Sequence, residues 1–374
     1  MIKNLIIFGT RPEAIKMAPL VKEFKKFPKE FNTKVCVTAQ HREMLDSVLN
    51  FFEIEPDFDL NIMKPNQNLF TITSEIILNL KIVMDKFSPD YVYVHGDTTT
   101  CMAASLASFY FGAKVCHVEA GLRTYKKHSP FPEEVNRQIT ARIADYHFSP
   151  TNLSKNNLLS ENIDSESILV TGNTVIDALL HTVDKVTNTK NNEINYLNSI
   201  IDRSKKIILV TGHRRENHGK GFVNICDALK HIALNNSDVQ IIFPVHLNPN
   251  VKNIVFERLN NIDSINLIEP LSYPSFVWLM NKAFIIITDS GGVQEEAPSL
   301  GKPVLVMRDN TERPEALKAG TVILVGTKKN KIIEEVSTLI NNSNYYEEMS
   351  SINNPYGDGK ASSRIVDFMK NKIH

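Results

Sequence analysis

Length, composition and charge exclude several classes of protein. At 374 residues the chain is too long for one ordinary hydrophobic core, so two domains are expected. Its 42% hydrophobic and 22% charged residues are typical of a soluble globular protein. The formal net charge of zero gives no bulk attraction to a nucleic acid or a membrane surface, so neither partner is expected.

No segment predicts export or membrane insertion. The first apolar run ends at Gly9 and leads directly into Thr10-Arg11-Pro12, which indicates a first strand rather than a signal peptide. No run approaches the roughly 18 apolar residues that a membrane helix needs. The four cysteines show no paired spacing, so we expect reduced core residues in a cytoplasmic protein.

Short runs rich in valine and isoleucine alternate with longer amphipathic segments, which predicts βα units around parallel sheets. In the first half, strands are predicted at residues 4–9, 33–39, 91–95, 114–118, 146–149 and 167–170. In the second half, they are predicted at residues 206–212, 240–245, 265–268, 284–288, 303–307 and 321–325. The polar segment 187–205 predicts a connector with a short helix, and 361–372 predicts a closing helix.

This pattern predicts an α/β protein with two Rossmann-like domains facing across a cleft, where a ligand binds at the carboxyl ends of the strands. We place the domains at residues 1–172 and 173–356, followed by a C-terminal segment at 357–374. Neither half contains G-x-G-x-x-G or a P-loop motif, which disfavours a dinucleotide cofactor.

The segment 285–297 predicts a buried strand, a Ser-Gly-Gly turn and the start of a helix. Such a turn directs backbone N–H groups and the positive end of the helix dipole at a space without side chains. This predicts a phosphate-type anion site at Ser290, Gly291 and Gly292. Glu295 and Glu296 then fall in the predicted first helical turn, where they either complement the dipole or bind ribose hydroxyls.

Charged residues also follow strands of the first half. Arg11 and Lys16, around the start of a helix predicted at 14–27, either bind a phosphate or form a solvated charged face. Asp97 and Glu119 end two successive strands, and Glu133 opens the next helix. Acids converging at strand ends predict acid/base chemistry, although Asp97 alone could simply cap a helix.

Two further groups have alternative explanations. His95 and His117, together with the carboxylates Asp97 and Glu119, could form a metal set, but no ligand-spacing motif supports it. In the second half, His213 is either a proton carrier or phosphate partner, or a buried structural histidine.

The chain carries, in order, GTRPEAIKMAP, TAQHREML, HGDTTT, HVEAGLRT, SPFPEEVNRQ, FSPT, VTGNTVIDAL, GHRREN, PVHLNP, TDSGGVQEEAPSLGKPVLVMRDNTERPE and NPYGDG. This series resembles the non-hydrolysing UDP-N-acetylglucosamine 2-epimerases over nearly the whole chain. The resemblance implies a fold of the glycosyltransferase-B type, a C-terminal helix that crosses back onto the first domain, a UDP-sugar substrate, a homodimer and no cofactor.

The resemblance also implies a reaction. The C2 hydrogen of a closed sugar ring has no adjacent carbonyl, so its direct removal as a proton would be too slow. Elimination of UDP across C1–C2 gives a 2-acetamidoglucal, and re-addition with a proton on the other face of C2 interconverts UDP-GlcNAc and UDP-ManNAc. Such a product serves the synthesis of cell-surface polysaccharide precursors.

By matching the family's motifs, the resemblance assigns site residues in three groups. The catalytic positions are Asp97, Glu119, Glu133 and His213, and at least one of these carboxylates is expected to have a raised pKa. The substrate-binding positions are Arg11, Lys16, Arg214, Leu271, Phe276, Ser290, Gly291, Gly292, Glu296 and Arg313. The positions for a second UDP-GlcNAc as activator are Gln40, His41, Glu43, Gln67 and His246. Asn66 stands where certain relatives carry Arg, which predicts weaker activation.

Several alternatives remain open from the sequence. A glycosyltransferase of the same fold needs the same nucleotide site, and a hydrolysing epimerase would release free ManNAc. Other UDP-amino sugars share the uridine and diphosphate contacts. Phe276 could stack on uracil or belong to the core. A catalytically silent nucleotide-sugar sensor would not need the converging acids.

Overall fold

A computed structural model describes residues 1–38, 42–64, 67–187, 191–311 and 313–373 of the protein, apart from the side chains of residues 42, 43 and 373. The chain folds into two compact units. The first unit contains Met1–Ala178 and Tyr356–His374, and the second contains Leu179–Pro355. Each unit is built around its own parallel sheet.

The first unit alternates strands and helices along the chain. Its strands are β1 (Ile2–Phe8), β2 (Phe31–Val37), β3 (Phe58–Asp59), β4 (Tyr91–His95), β5 (Lys114–Val118), β6 (Tyr146–Ser149) and β7 (Ile168–Val170). The helices that begin before the unit boundary are α1 (Arg11–Lys25), α2 (Arg42–Phe52), α3 (Leu69–Phe87), α4 (Thr99–Phe111), α5 (Glu133–Ile143), α6 (Asn152–Ser160) and α7 (Thr174–Thr187), and α7 continues across that boundary.

The second unit repeats this alternation. Its strands are β8 (Lys206–Thr211), β9 (Val239–Pro244), β10 (Ile265–Ile268), β11 (Ile285–Thr288), β12 (Val304–Val306) and β13 (Val322–Leu324). Its helices are α8 (Asn192–Ile200), α9 (Lys220–Asn235), α10 (Pro249–Leu259), α11 (Tyr273–Lys282), α12 (Gly291–Glu296), α13 (Pro314–Ala319), α14 (Lys329–Asn341) and α15 (Ser343–Ser350).

The strand order determines where each unit can hold a ligand. The first sheet has the order β3-β2-β1-β4-β5-β6-β7, and the second has the order β10-β9-β8-β11-β12-β13. The order reverses between β1 and β4 in one sheet and between β8 and β11 in the other. Connections leave such a point on opposite faces of the sheet, which opens a crevice at the carboxyl ends of the strands.

The predicted α/β fold class is confirmed, and each predicted strand is present with ends that differ by about two residues at most. The helix in the 187–205 connector is α8, and the closing helix is α16 (Ala361–Ile373). The short strand β3 was not predicted, because its two residues are too few to show alternation.

The predicted start of the first helix was wrong by about one turn, since α1 begins at Arg11. Thr10 and Glu13 form a capping box, in which each side chain bonds the backbone of the other residue.

The C-terminal helix is attached within the first unit by a buried carboxylate. Asp177 of α7 accepts hydrogen bonds from the backbone N–H groups of Ala361 and Ser362, at 3.1 and 2.8 Å. A carboxylate at a helix N-terminus satisfies amides that have no partner inside the helix. None of the described helices combines the length and the apolar character needed to cross a bilayer.

Candidate active site

In the first unit, the loop after β4 presents Asp97 beside an arginine. The Asp97 carboxylate forms an ion pair with Arg137 of α5, and Asn136 of the same helix donates a 2.9 Å hydrogen bond to the Asp97 carbonyl. Burial raises the pKa of Asp97, Arg137 opposes this effect, and the nearby negative charge of Glu119 adds to it. The direction agrees with the expected raised pKa of one carboxylate.

Arg137 is itself held by Glu134, which is fully buried. Glu134 Oε2 lies 3.2 Å from Arg137 Nη1, and the carboxylate accepts the backbone N–H groups of Thr124 and Tyr125 at 3.0 Å each. Burial would raise the pKa of Glu134, but the hydrogen bonds and Arg137 together lower it. Glu134 is therefore a charged anchor for Arg137 as well as a first-turn carboxylate.

Glu119, after β5, has a backbone φ of +63°, a region that costs free energy for a residue with a β-carbon. Its carboxylate pairs with Lys16 and accepts a 2.8 Å hydrogen bond from Asn173 Nδ2. His95 Nε2 lies 3.7 Å from the same carboxylate, and burial lowers the pKa of His95 to about 4. The structure thus brings Lys16, Asp97 and Glu119 into one electrostatic cluster.

Glu133, the third predicted acid, begins α5. Its Oε2 atom is buried and has no hydrogen-bond partner among the described residues. A carboxylate oxygen in this position is suited to a ligand group, because buried polar atoms are normally paired. Arg11 is half-buried at the first residue of α1, next to the loop after β1.

The two histidines of the alternative metal set are buried. Burial lowers the pKa of His117 to about 3, and its Nε2 donates a 2.7 Å hydrogen bond to the Gly96 carbonyl. Within the described part of the chain, no three His, Cys, Asp or Glu side chains are grouped so as to hold a metal ion.

In the second unit, the Ser-Gly-Gly turn follows β11. Ser290 is the N-cap of α12 but does not cap the helix with its own side chain. A β-carbon on Gly291 would lie 3.1 Å from Arg313 Cζ, so the absence of a side chain lets this guanidinium approach the turn. Gly292 follows as the second helical residue.

The prediction that Glu295 and Glu296 lie in the first helical turn was wrong. The helix begins at Gly291, so the two carboxylates are its fifth and sixth residues. Glu295 pairs with Arg313 Nε at 2.8 Å, and Glu296 accepts a 3.2 Å hydrogen bond from the hydroxyl of Tyr273. The side chain of Glu295 is thus engaged by an arginine, whereas Glu296 is joined to α11.

The loop after β8 carries His213 and Arg214, and both are tied to Asp289 at the end of β11. Their backbone N–H groups donate to Asp289 Oδ2 at 2.9 Å each. The ring of His213 stacks on that of His246, with centroids 5.7 Å apart and an interplanar angle of 26°. Leu271 and Phe276, near and within the first turn of α11, are partly buried.

The predicted activator residues are only partly described. Gln40 and His41 lie outside the described residues, as does Asn66, and the side chain of Glu43 is not described. Gln67 donates to the Ile62 carbonyl and lies 3.3 Å from Glu75 Oε2.

The structure adds residues that the sequence analysis left without a role. They are Arg137 and Asn173, which contact the predicted acids, and Tyr273 and Asp289, which contact the predicted nucleotide residues. Arg137 was detectable in principle, because it lies one helical turn after Glu133 within the SPFPEEVNRQ motif. Asp289 lies far along the chain from His213, so local spacing gave no signal.

Two parallel Rossmann-like sheets, one with partly buried acids and one with a Ser-Gly-Gly turn at the carboxyl ends of the strands, are typical of enzymes that act on nucleotide ligands. A sequence profile described as UDP-N-acetylglucosamine 2-epimerase matches residues 22–370. The chain therefore belongs to the UDP-N-acetylglucosamine 2-epimerase family, and it is an epimerase.

Individual relatives agree with this assignment. The UDP-N-acetylglucosamine 2-epimerase of Escherichia coli O157:H7 is 58% identical over 371 residues, covering 99% of this chain and 98% of the relative. The crystal structure of UDP-GlcNAc 2-epimerase from Neisseria meningitidis bound to UDP-GlcNAc is 53% identical, with a TM-score of 0.91 over 99% of this chain and 100% of that chain. The Methanocaldococcus jannaschii UDP-GlcNAc 2-epimerase in complex with UDP-GlcNAc and UDP is 35% identical, with a TM-score of 0.82 over the same shares.

The pairing of Asp97 with Arg137 leads to a titration prediction. Replacement of Arg137 by Met removes a positive charge that favours the carboxylate, so Asp97 should bind its proton up to a higher pH. Carboxyl ¹³C NMR titration of the wild-type and variant proteins measures this change. Arg142→Met, which alters an exposed arginine of the same helix, is the control and should leave Asp97 unchanged. An unchanged Asp97 midpoint in the Arg137 variant would show that this ion pair does not tune the acid.

Proposed function

We propose that the enzyme interconverts UDP-N-acetylglucosamine and UDP-N-acetylmannosamine by elimination and re-addition of UDP. The observation that carries this proposal is the cluster of Asp97 and Glu119 at neighbouring strand ends, each facing a cation. Proton transfer at a carbon requires groups of this type, held out of bulk water.

The proposed reaction balances without a cofactor. A base takes the proton from C2, the electron pair forms the C1–C2 double bond, and the C1–O bond to UDP breaks. The products held in the site are 2-acetamidoglucal and UDP. In the second half, UDP adds back to C1 while an acid delivers a proton to the opposite face of C2.

The acid/base groups in this proposal are those of the first unit. Asp97, Glu119 and Glu133 accept and return the C2 protons. The raised pKa of Asp97 means that it holds a proton more tightly than an ordinary carboxylate, because burial disfavours its charged form. Lys16 and Arg137 reduce the electrostatic repulsion between the neighbouring carboxylates by pairing with Glu119 and Asp97, respectively.

Most of the proposed nucleotide contacts come from the second unit, whereas Arg11 belongs to the first unit. UDP must remain bound while the glucal waits, so its diphosphate needs strong donors. We assign this task to the turn residues Ser290, Gly291 and Gly292 and to the side chains of Arg11, His213, Arg214 and Arg313. The same donors stabilise the negative charge that develops on the leaving group. Glu296 binds the ribose, and Leu271 and Phe276 lie against uracil.

The four cysteines are buried and form no disulfide, which supports a location in the cytoplasm, where thiols stay reduced. There the product would serve the synthesis of cell-surface polysaccharide.

Incubation of UDP-GlcNAc alone in D₂O tests the reaction. We expect UDP-ManNAc to appear and deuterium to enter at C2, because the proton is exchanged at the site. A glycosyltransferase would show neither, and a hydrolysing epimerase would release free ManNAc. A panel of other UDP-amino sugars tests which substrate is preferred.

Glu119→Gln should lower kcat about 10²-fold to 10⁴-fold, the range of one acid/base group. Glu55→Gln, the same change at an exposed carboxylate of the first unit, is the control and should retain full activity. Equal activity of the Glu119 variant and the wild type would exclude Glu119 from the proton transfer.

We further propose a homodimer, in which a second copy covers an apolar face of α3 and α4. Leu78 and Ile82 are each 67% exposed on α3, and Tyr110 of α4 is 70% exposed. Leu78, Tyr110 and Phe111 line a common groove between the two helices. Contiguous exposed apolar surface of this kind marks interaction sites.

Leu78→Asp should shift the protein toward the monomer in sedimentation-velocity measurements, because a charge would be buried in the interface. Leu234→Asp, which alters a leucine of α9 with 65% exposure, should leave the mass unchanged. Dimers of undiminished stability in the Leu78 variant would exclude this face.

We also propose that a second UDP-GlcNAc activates the enzyme through residues including His246. The stacking of His246 on His213 supports this proposal, because a ligand that contacts one imidazole would also affect the position of the other. With UDP-ManNAc as the only substrate, we expect a lag that a small addition of UDP-GlcNAc removes. Full turnover from time zero without that addition would argue against activation.

A further inference from the structure

Asp289 is a buried charged residue to which the proposed reaction assigns no role. Its side chain is fully buried. Its Oδ2 atom accepts the backbone N–H groups of His213 and Arg214 at 2.9 Å and the side-chain amide of Asn217 at 3.2 Å. One oxygen therefore receives three donors from the loop that follows β8.

The other oxygen of Asp289 faces the imidazole. Oδ1 lies 3.2 Å from His213 Nδ1, within ion-pair distance, and no donor of the described residues forms a well-aligned hydrogen bond with it. A buried carboxylate oxygen needs a donor, and the ring N–H is the one within reach. Burial would raise the pKa of Asp289, but hydrogen bonds from the His213 side chain and the Arg214 backbone outweigh it and lower the pKa.

His246 restrains the same ring from its face. The two imidazoles stack, and His246 is fixed in turn because its Nδ1 accepts a 3.1 Å hydrogen bond from the backbone N–H of Asn248. Burial and the neighbouring charge of His213 lower the pKa of His246, so it favours the neutral form. His213 remains 43% exposed, which leaves the opposite edge of its ring accessible to a ligand.

We propose that Asp289 is a positioning residue that keeps Nδ1 of His213 protonated, so that Nε2 is the nitrogen that meets the diphosphate of the nucleotide sugar. This inference rests on the proposed function and deepens it. A neutral ring in this tautomer offers the Nε2 lone pair to a proton, and a charged ring donates Nε2–H to the departing UDP. A carboxylate on the far nitrogen controls histidine tautomers in this way in other enzymes.

Asp289→Asn is the informative variant because it keeps the shape of the side chain and reverses the direction of the hydrogen bond to His213 Nδ1. The backbone N–H groups of His213 and Arg214 still require an acceptor, so the carbonyl oxygen of the new amide must face them. Its NH₂ group then faces His213 Nδ1, which can only accept. The proton of the neutral ring is thereby moved to Nε2, so this nitrogen no longer offers a lone pair that can take up a proton.

The tautomer is measured by ¹⁵N NMR of the full-length protein labelled at histidine, with the His213 signals assigned from their loss in His213→Asn. In the wild type, the proton of the neutral ring should be on Nδ1, and in Asp289→Asn it should be on Nε2. An Nε2 proton in the wild type, or the same tautomer in both proteins, would overturn the proposal.

Kinetics supply the second measurement. We expect Asp289→Asn to lower kcat by about 10²-fold to 10⁴-fold, because the same change next to a catalytic histidine in other enzymes leaves the wrong tautomer and slows the reaction strongly. The Kd for UDP should change little. Asn217→Ala is the matched control, because it removes another donor from the same carboxylate and leaves the imidazole contact in place. It should retain the wild-type tautomer and most of the activity.

The outcomes separate the two ideas. If Asn217→Ala lowers kcat as strongly as Asp289→Asn while keeping the tautomer, Asp289 merely holds the loop and the proposal is wrong. If the tautomers are as expected but the wild type neither forms UDP-ManNAc nor exchanges deuterium at C2, the proposed reaction fails while the control of His213 by Asp289 stands.

Discussion

Buried carboxylates that accept backbone N–H groups hold the loops of both candidate sites. Glu13 bonds the amides of Gly9 and Thr10 in the loop after β1, Glu134 bonds two amides in the loop after β5, and Asp289 bonds two in the loop after β8. A buried charge is costly unless donors surround it, so each carboxylate admits few arrangements of its loop. The geometry of the sites therefore depends on these carboxylates as well as on the strands.

The same constraint separates residues that carry out chemistry from residues that support them. Glu134 is buried, ionised and tied to backbone amides, and it reaches the site only through Arg137. Asp97, on the other side of Arg137, has a raised pKa because burial outweighs the guanidinium. Arg137 thus contacts both a carboxylate whose pKa is lowered and a carboxyl group whose pKa is raised, so the two acids differ in how tightly they hold a proton.

Periodicity and strand-end position were enough to predict the two sheets and the acids at their carboxyl ends, because those signals are local in sequence. The pairs that complete each site are not local. Asp97 and Arg137 lie 40 residues apart, and His213 and Asp289 lie 76 residues apart. No spacing motif links such residues, so the pairing of Asp97 with Arg137 and of His213 with Asp289 became visible only in the folded chain. The same limit explains Glu295, whose position depended on where α12 starts and whose partner is Arg313.

Two parallel Rossmann-like units do not by themselves define a reaction, since this architecture serves many nucleotide-dependent enzymes. A nucleotide site at the end of β11 would suit a transferase equally well. The distinguishing feature lies in the first unit, where Glu119 has a left-handed backbone conformation between Lys16 and Asn173. Strain of this kind persists only where surrounding contacts over-determine it. An acid kept in such a conformation, beside a second acid with a raised pKa, supports the proposed proton transfer at the sugar rather than nucleotide binding alone.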